Sequence, residues 1–242
     1  MNSANPTRVA IITARGGSKR IPRKNIKPFL GEPIIAYSIR AAIEANCFTE
    51  VMVSTDDEEI AAVAKTYGAS IPFFRSPRSA DDFATTADVL GEVLTQYEQT
   101  GIEFDQACCI YPTAPFITPE SILKGLSLLE KFEAKSVIPV TEYPAPIWRA
   151  LQINNDRLER TWPENENKRS QDLTPAYYDA GQFYWFKTRP FRQSLQLLTD
   201  DTIPLILPPA VVQDIDTLDD WTHAELKYQI LKQSTLLRGK TS

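Results

Sequence analysis

The chain has 242 residues, enough for one sizeable α/β domain or for one domain with a small insertion. Its hydrophobic content of 43% and charged content of 24% are those of an ordinary globular protein, and no apolar run is long enough to span a membrane. A formal net charge of -5 and a pI of about 5.1 argue against general nucleic-acid binding but leave room for a local cationic pocket that takes small anions.

Arg8 to Thr13 is a short β-branched apolar run, expected as a buried strand, and a polar loop with Gly16, Gly17 and Pro22 follows it. Pro33 to Asn46 reads as a helix and Val51 to Ser54 as a second strand. Asp56 to Tyr67 reads as a helix with an acidic first turn, matched to the helix dipole. Ile71 to Phe74 is expected as a strand, Thr85 to Gln99 as a helix and Ala107 to Tyr111 as a strand. Thr118 and Pro119 open a helix that runs to about Lys131, and Ser136 to Thr141 is again a strand. Strands separated by helices in this way predict an α/β fold with a mostly parallel sheet.

Residues 142–178 break the pattern: they carry several prolines, Trp148 and Trp162 but no amphipathic helix, and are expected to form an inserted lobe. Ala180 to Phe186 and Ile203 to Leu207 read as returning strands. A last helix begins at Thr217, with Asp220 spaced to complete a capping box. Met1 to Pro6 is polar with no apolar stretch behind it, which sets the expectation of a cytoplasmic protein. Cys47, Cys108 and Cys109 are expected as reduced core residues, and the single histidine, His223, as a surface residue.

The most informative stretch runs from Thr13 to Asn25. It follows the first strand, where open α/β sheets place their ligand crevice. Gly16 and Gly17 permit close backbone approach to an anion, and Arg15, Lys19 and Lys24 supply fixed positive charge. The stretch matches neither G-x-x-x-x-G-K-[ST] nor G-x-G-x-x-G, so the residues support a phosphate-binding loop or a solvated basic loop. Asp214 and Asp216, separated by one residue, point the same way if extended and suit a hard cation such as Mg²⁺; a cap for the last helix is the alternative. Tyr111-Pro112-Thr113-Ala114-Pro115-Phe116 is a stiff strand exit. Arg169, Gln182 and Tyr184 carry groups suited to a sugar carboxylate and hydroxyls, or belong to an exposed polar lobe.

Ala14-Arg15-Gly16-Gly17-Ser18-Lys19-Arg20-Ile21-Pro22-Arg23-Lys24-Asn25 resembles the nucleotide-binding signature of the acylneuraminate (CMP-sialic acid synthetase-like) cytidylyltransferases. Val53 to Ile60 resembles their second strand and helix, and Asp214-Ile215-Asp216-Thr217 their metal-binding segment. Tyr111 stands where sialic acid enzymes carry the glutamine of a Gln-Pro-Thr-Ser-Pro pattern. Pro146 to Ala150, Arg169 to Leu173 and Asp179 to Trp185 resemble the pseudaminic acid cytidylyltransferase branch.

The resemblance implies a Rossmann-like nucleotidyltransferase fold with helices on both faces of the sheet, Mg²⁺ dependence and a homodimer built through the lobe. It also implies CTP and an acidic keto-sugar, pseudaminic acid, as substrates. Ala14, Arg15, Gly16, Gly17, Ser18, Lys19, Lys24 and Asn25 would hold the nucleotide; Arg75, Ser79, Ala80 and Asp82 would lie about the cytosine. Tyr111, Arg149, Arg169, Gln182 and Tyr184 would take the sugar, and Asp214 and Asp216 the metal. Arg15, Lys24, Asp214 and Asp216 would carry the chemistry. The competing readings are N-acetylneuraminate or legionaminate as the sugar, a uridylyl- or guanylyltransferase for neutral sugars, and a non-catalytic sugar-nucleotide sensor.

Overall fold

Arg8–Thr13 forms β1, whose four central residues are fully buried. It needs an apolar side chain at every position because parallel strands flank it and helices cover both its faces. In the computed structural model, which describes residues 6–81 and 83–238, Ala10 and Ile12 pack with one cluster and Val9 and Ile11 with another.

A loop from Ala14 leads to a two-stranded ribbon, β2 (Pro28–Phe29) and β3 (Glu32–Pro33), and then α1 (Ile34–Glu44), β4 (Glu50–Ser54) and α2 (Glu58–Thr66). A short helix, α3 (Pro77–Ala80), precedes α4 (Thr86–Gln99), β5 (Gln106–Ile110), α5 (Pro119–Lys131) and β6 (Ser136–Glu142). An exposed hairpin, β7 (Leu151–Asn154) and β8 (Arg157–Arg160), stands on the lobe. The chain returns through β9 (Tyr177–Asp179) and β10 (Phe183–Lys187), then α6 (Thr188–Ser194), β11 (Thr202–Ile206) and α7 (Leu218–Arg238).

The main sheet runs β11-β6-β10-β5-β1-β4, with β9 added alongside β6. The β1, β4, β5, β6 and β11 pairings are parallel; β10 lies antiparallel between β5 and β6, and β9 is antiparallel to β6. The mixed sheet follows from the lobe: the excursion that leaves the end of β6 re-enters the sheet at that same end, so the returning strands run antiparallel to it. The lobe's two feet are neighbours, since Thr141 pairs with Tyr178 and Glu142 with Tyr177.

Helices α1, α2 and α5 cover one face through residues such as Ile39, Ile60 and Leu129, and α4 covers the other with Leu90, Val93 and Tyr97. Gly125 of α5 has no room for a side chain: a Cβ there would stand 2.8 Å from Trp185 of β10. Cys108 and Cys109 are fully buried on opposite faces, and burial pushes the Cys109 thiol up to about 12.

Two local expectations differ. Ile71–Phe74 forms no strand: Ser70 makes one parallel bridge to Met52, and Pro72, which has no N–H to donate, follows at once. The strand expected over Ala180–Phe186 starts only at Phe183, as β10, because Gly181 at φ 61° turns the chain there; β9, just before it, was not expected as a strand. Helix starts were well marked. Asp57 caps α2, and capping boxes open α4 (Thr85 and Asp88) and α5 (Thr118 and Ser121). Thr217 and Asp220 bond reciprocally at the start of α7.

Candidate active site

The loop after β1 is held by hydrogen bonds within itself and to the stretch that follows β4. Ala14 N–H continues the ladder to Ser54 O at 2.9 Å, and Ser18 N–H turns back to Gly16 O at 3.0 Å. Asn25, buried, donates from Nδ2 to Arg15 O at 2.9 Å and so pins the loop's two ends together. Gly16 N–H donates to Asp56 Oδ1 at 2.8 Å, so the anion this amide meets here is one of the chain's own carboxylates. A Cβ on Gly16 would stand 2.9 Å from Asp57 Oδ2, whereas Gly17 faces open space.

Asp57 is the hub behind the loop. It caps α2 through Ile60 N–H and takes both ends of the Arg23 guanidinium, at 2.5 and 2.9 Å. Arg23 reaches it from a left-handed backbone conformation, φ 54°. These hydrogen bonds, Arg23 first, hold the Asp57 carboxyl down to about 2.

A cleft of about 460 Å³ opens over this loop at the carboxyl ends of β1 and β5. Arg15, Ser18, Lys19, Lys24 and Asn25 line it on one side, and Arg75, Ser79, Thr86 and Tyr111 on the other. Arg75 is 8% exposed; its guanidinium donates to Ser54 Oγ at 3.1 Å and Ser54 O at 2.7 Å, and burial lowers its pKa from the ordinary arginine value. Ala14, Gly16, Gly17 and Ala80 shape the surrounding backbone without lining the cleft. Asp82 lies outside the described residues.

A second cleft, about 790 Å³, adjoins the first, and Lys24, Tyr111 and Thr113 line both. Tyr178, Asp179 and Tyr184 form one wall; Asp214, Asp216, Asp220 and Lys227 form another. Tyr111 and Tyr184 meet edge to face with centroids 5.5 Å apart, and Tyr184 OH donates to Asp179 Oδ2 at 2.6 Å. Burial raises the pKa of both phenols, so both remain neutral hydrogen-bonding groups at neutral pH.

The remaining sugar candidates lie elsewhere. Gln182 is buried and its Nε2 donates to Val211 O at 2.5 Å. Arg149 and Arg169 are exposed on the lobe and line neither cleft of this chain; Arg149 donates to Lys168 O, and Arg169 pairs with Asp172 at 3.1 Å. His223 is exposed, as expected.

Asp216 faces cations from the loop: Arg20 at 2.7 Å and Lys24 at 3.6 Å, while Lys24 also donates to Ile215 O at 2.7 Å. Ile215 is buried between the two aspartates, against a cluster that includes Ile21, Phe29 and Trp221. Burial of the middle residue leaves the two flanking carboxylates on the cleft, as the spacing predicts. Among the described residues no group of three or more His, Cys, Asp or Glu could hold a metal ion unaided. Two carboxylates suffice for Mg²⁺ where substrate phosphates and water complete its shell, so this donor set fits that ion and does not suit Zn²⁺.

A family model described as "Cytidylyltransferase" matches residues 9–202, which takes in the loop, Arg75, Tyr111 and the strand through Tyr184. This chain belongs to the cytidylyltransferase family. It is 38% identical to the "Pseudaminic acid cytidylyltransferase" of Campylobacter jejuni subsp. jejuni serotype O:2, over 93% of this chain and 98% of that one. It is 33% identical to the "CMP-N,N'-diacetyllegionaminic acid synthase" of Legionella pneumophila subsp. pneumophila, over 95% of this chain and 99% of that one. Among solved structures, a CMP:2-keto-3-deoxy-manno-octonic acid synthetase complexed with CTP superposes with a TM-score of 0.68 at 16% identity, covering 94% of this chain and 99% of that one. The fold of this cytidylyltransferase is thus the Rossmann-like nucleotidyltransferase fold, as expected. The sequence pattern assigns no role to Arg20, Asp179 or Lys227: Arg20 and Asp179 lie inside the segments that carry the resemblance, whereas Lys227 carries no local signal.

Proposed function

We propose that this cytidylyltransferase transfers CMP from CTP to the anomeric hydroxyl of pseudaminic acid, giving CMP-pseudaminic acid and pyrophosphate. The observation that carries the reading is the pair of clefts joined at Lys24. One is lined by cations and reaches to buried Arg75; the other is walled by tyrosines and by the Asp214 segment. The relatives of known name agree on the reaction, and the 38% relative names the sugar.

The nucleotide lies over the loop, its triphosphate against Arg15, Lys19 and Lys24 and its cytosine toward Arg75 and Ser79. The sugar lies in the second cleft beside Tyr111 and Tyr184. Its anomeric oxygen attacks the α-phosphorus in line, the bond to the bridging oxygen breaks, pyrophosphate leaves with that oxygen and the hydroxyl proton passes to water. Such a transfer depends on positioning and on neutralising phosphate charge. Lys24 serves both ends, since it reaches from the loop to the acceptor segment. Asp214 and Asp216 would hold Mg²⁺, which when bound supplies charge neutralisation on the phosphate oxygens. Arg20 and Lys24, which hold Asp216 here, have a triphosphate as their competing anion.

The protein works as a homodimer in the cytoplasm on this reading. Leu151, Ile153 and Leu158, 55%, 77% and 70% exposed, give the β7–β8 hairpin an apolar face that a second copy covers, and Arg149 and Arg169 would then serve the partner's acceptor cleft. No helix among the described residues is long and apolar enough to cross a membrane.

The test is pyrophosphate release with CTP and Mg²⁺, offering pseudaminic acid and N-acetylneuraminic acid separately, with UTP and GTP as controls and chelator added last. Release with CTP and pseudaminic acid, abolished by chelator, is expected. Release with N-acetylneuraminate alone would overturn the sugar, and CTP binding without turnover on any acidic sugar would favour a sensor.

A further inference from the structure

The backbone from Pro208 to Asp216 belongs to no strand or long helix, yet it carries the two aspartates assigned to the metal. Apart from one short turn, in which Val211 N–H donates to Pro208 O at 3.1 Å, it is held by side chains of other elements. Helix α7 provides them at both ends of the segment. At the downstream end, Asp220 Oδ2 accepts from Asp216 N–H at 3.1 Å and Thr217 N–H at 2.8 Å. At the upstream end, Lys227 Nζ donates to Pro209 O at 3.0 Å and Val212 O at 2.7 Å, with Gln213 Oε1 at 3.5 Å. Asp220 and Lys227 are seven residues apart, two turns on one face of the helix. A carboxylate takes the segment's N–H groups and an ammonium takes its carbonyls.

We infer that Lys227 is a positioning residue for the transfer, clamping the Pro209–Gln213 carbonyls to α7 so that Asp214 and Asp216 are presented to the metal and phosphates. The inference rests on the assignment of Asp214 and Asp216 proposed above. An ammonium has three donors, and all three have acceptors within the segment, so Lys227 is spent on protein groups although it lines the acceptor cleft. Fixing α7 itself does not need it: Trp221, Ala224 and Tyr228 pack α7 against Phe29 and Ile34. Partly burying a cation carries a desolvation cost that an apolar residue would avoid, and the carbonyls it gathers justify that cost only if the segment's geometry matters.

The test compares wild type with Lys227→Met, Lys227→Gln and Lys227→Arg. Mn²⁺ bound to the full-length protein in the presence of CTP is titrated by electron paramagnetic resonance, and kcat, KM for CTP and the Mg²⁺ midpoint are read with pseudaminic acid. Residues that orient metal ligands typically change metal affinity or activity by about 10–100-fold. Lys227→Met is therefore expected to weaken Mn²⁺ binding by about 10-fold or more, raise the Mg²⁺ midpoint and lower kcat more than it changes KM for CTP, with Lys227→Arg restoring part of each. A lower melting temperature with Mn²⁺ affinity and Mg²⁺ midpoint unchanged would make Lys227 merely structural and overturn the inference. If Lys227→Met does not fold, Lys227→Gln, which keeps two N–H donors without the charge, decides by the same criteria. Absence of Mn²⁺ binding to the wild type also overturns it. Absence of turnover with CTP in a wild type that binds Mn²⁺ would sink the functional reading alone, because the Mn²⁺ comparison still reads the role of Lys227.

Discussion

The ammonium of Lys24 touches both halves of the site: it bonds to Ile215 O at 2.7 Å and lies 3.6 Å from the Asp216 carboxylate, while its own loop faces the nucleotide cleft. In the transfer proposed above, a group in that position acts on the phosphoryl group and on the segment opposite. Lys24→Met is expected to lower kcat by about 10²–10³, the loss typical of one preorganised electrostatic donor. Steady-state kinetics would show it, with circular dichroism reporting an intact fold.

Gly16 is required by its neighbour. Its missing Cβ would stand 2.9 Å from Asp57 Oδ2, and Asp57 is itself tied to Arg23 and to α2. Gly16→Ala is expected to destabilise the protein by about 1–3 kcal/mol through overpacking and to raise KM for CTP. Gly17→Ala, facing open space, should change stability far less. Denaturant midpoints of the two variants make the comparison.

Acid stability should carry the signature of Asp57. Its folded value of about 2 lies below the ordinary 3.8, so the folded state favours the charged form. The contribution is complete above 3.8 and is lost as pH falls from 3.8 toward 2. Arg23 is partly exposed, so the effect is modest. The urea midpoint of wild type should fall more steeply across that window than that of Asp57→Asn.

Tyr111 lines both clefts and braces Tyr184 edge to face. Tyr111→Gln removes the ring and installs the residue that the sialic acid pattern carries at this position. It is expected to lower kcat/KM for pseudaminic acid by about 10–200-fold, the scale of one pocket contact, and to shift preference toward N-acetylneuraminate. Tyr111→Phe should keep most of the activity. Parallel assays with the two sugars separate a specificity effect from general damage.

What the sequence disclosed was whatever depends on near neighbours. β1 is legible because every central residue is apolar, and the starts of α4, α5 and α7 because Thr85, Thr118 and Thr217 find their capping partners three residues on. Arg15, Lys24, Asp214 and Asp216 were legible as a pattern, though not that Arg20 and Lys24 would hold Asp216 from across the chain. α6 was missed because Pro190 interrupts a short polar segment, and the strand at Ile71 was overread because Pro72 outweighs its apolar neighbours. Gln182 and Lys227 grip carbonyls of residues 209 to 212, a role set by tertiary placement alone.

Because both feet of the lobe stand side by side on β6, the excursion between Glu142 and Tyr177 is a detour that begins and ends at nearly the same place. Its length and sequence can drift without shifting the register of any strand that carries the nucleotide loop. Glu142, Pro144 and Tyr178, at its base, border only the acceptor cleft. A change in the lobe can therefore reshape the rim of the second cleft while the loop after β1 and the cleft above it stay as they are.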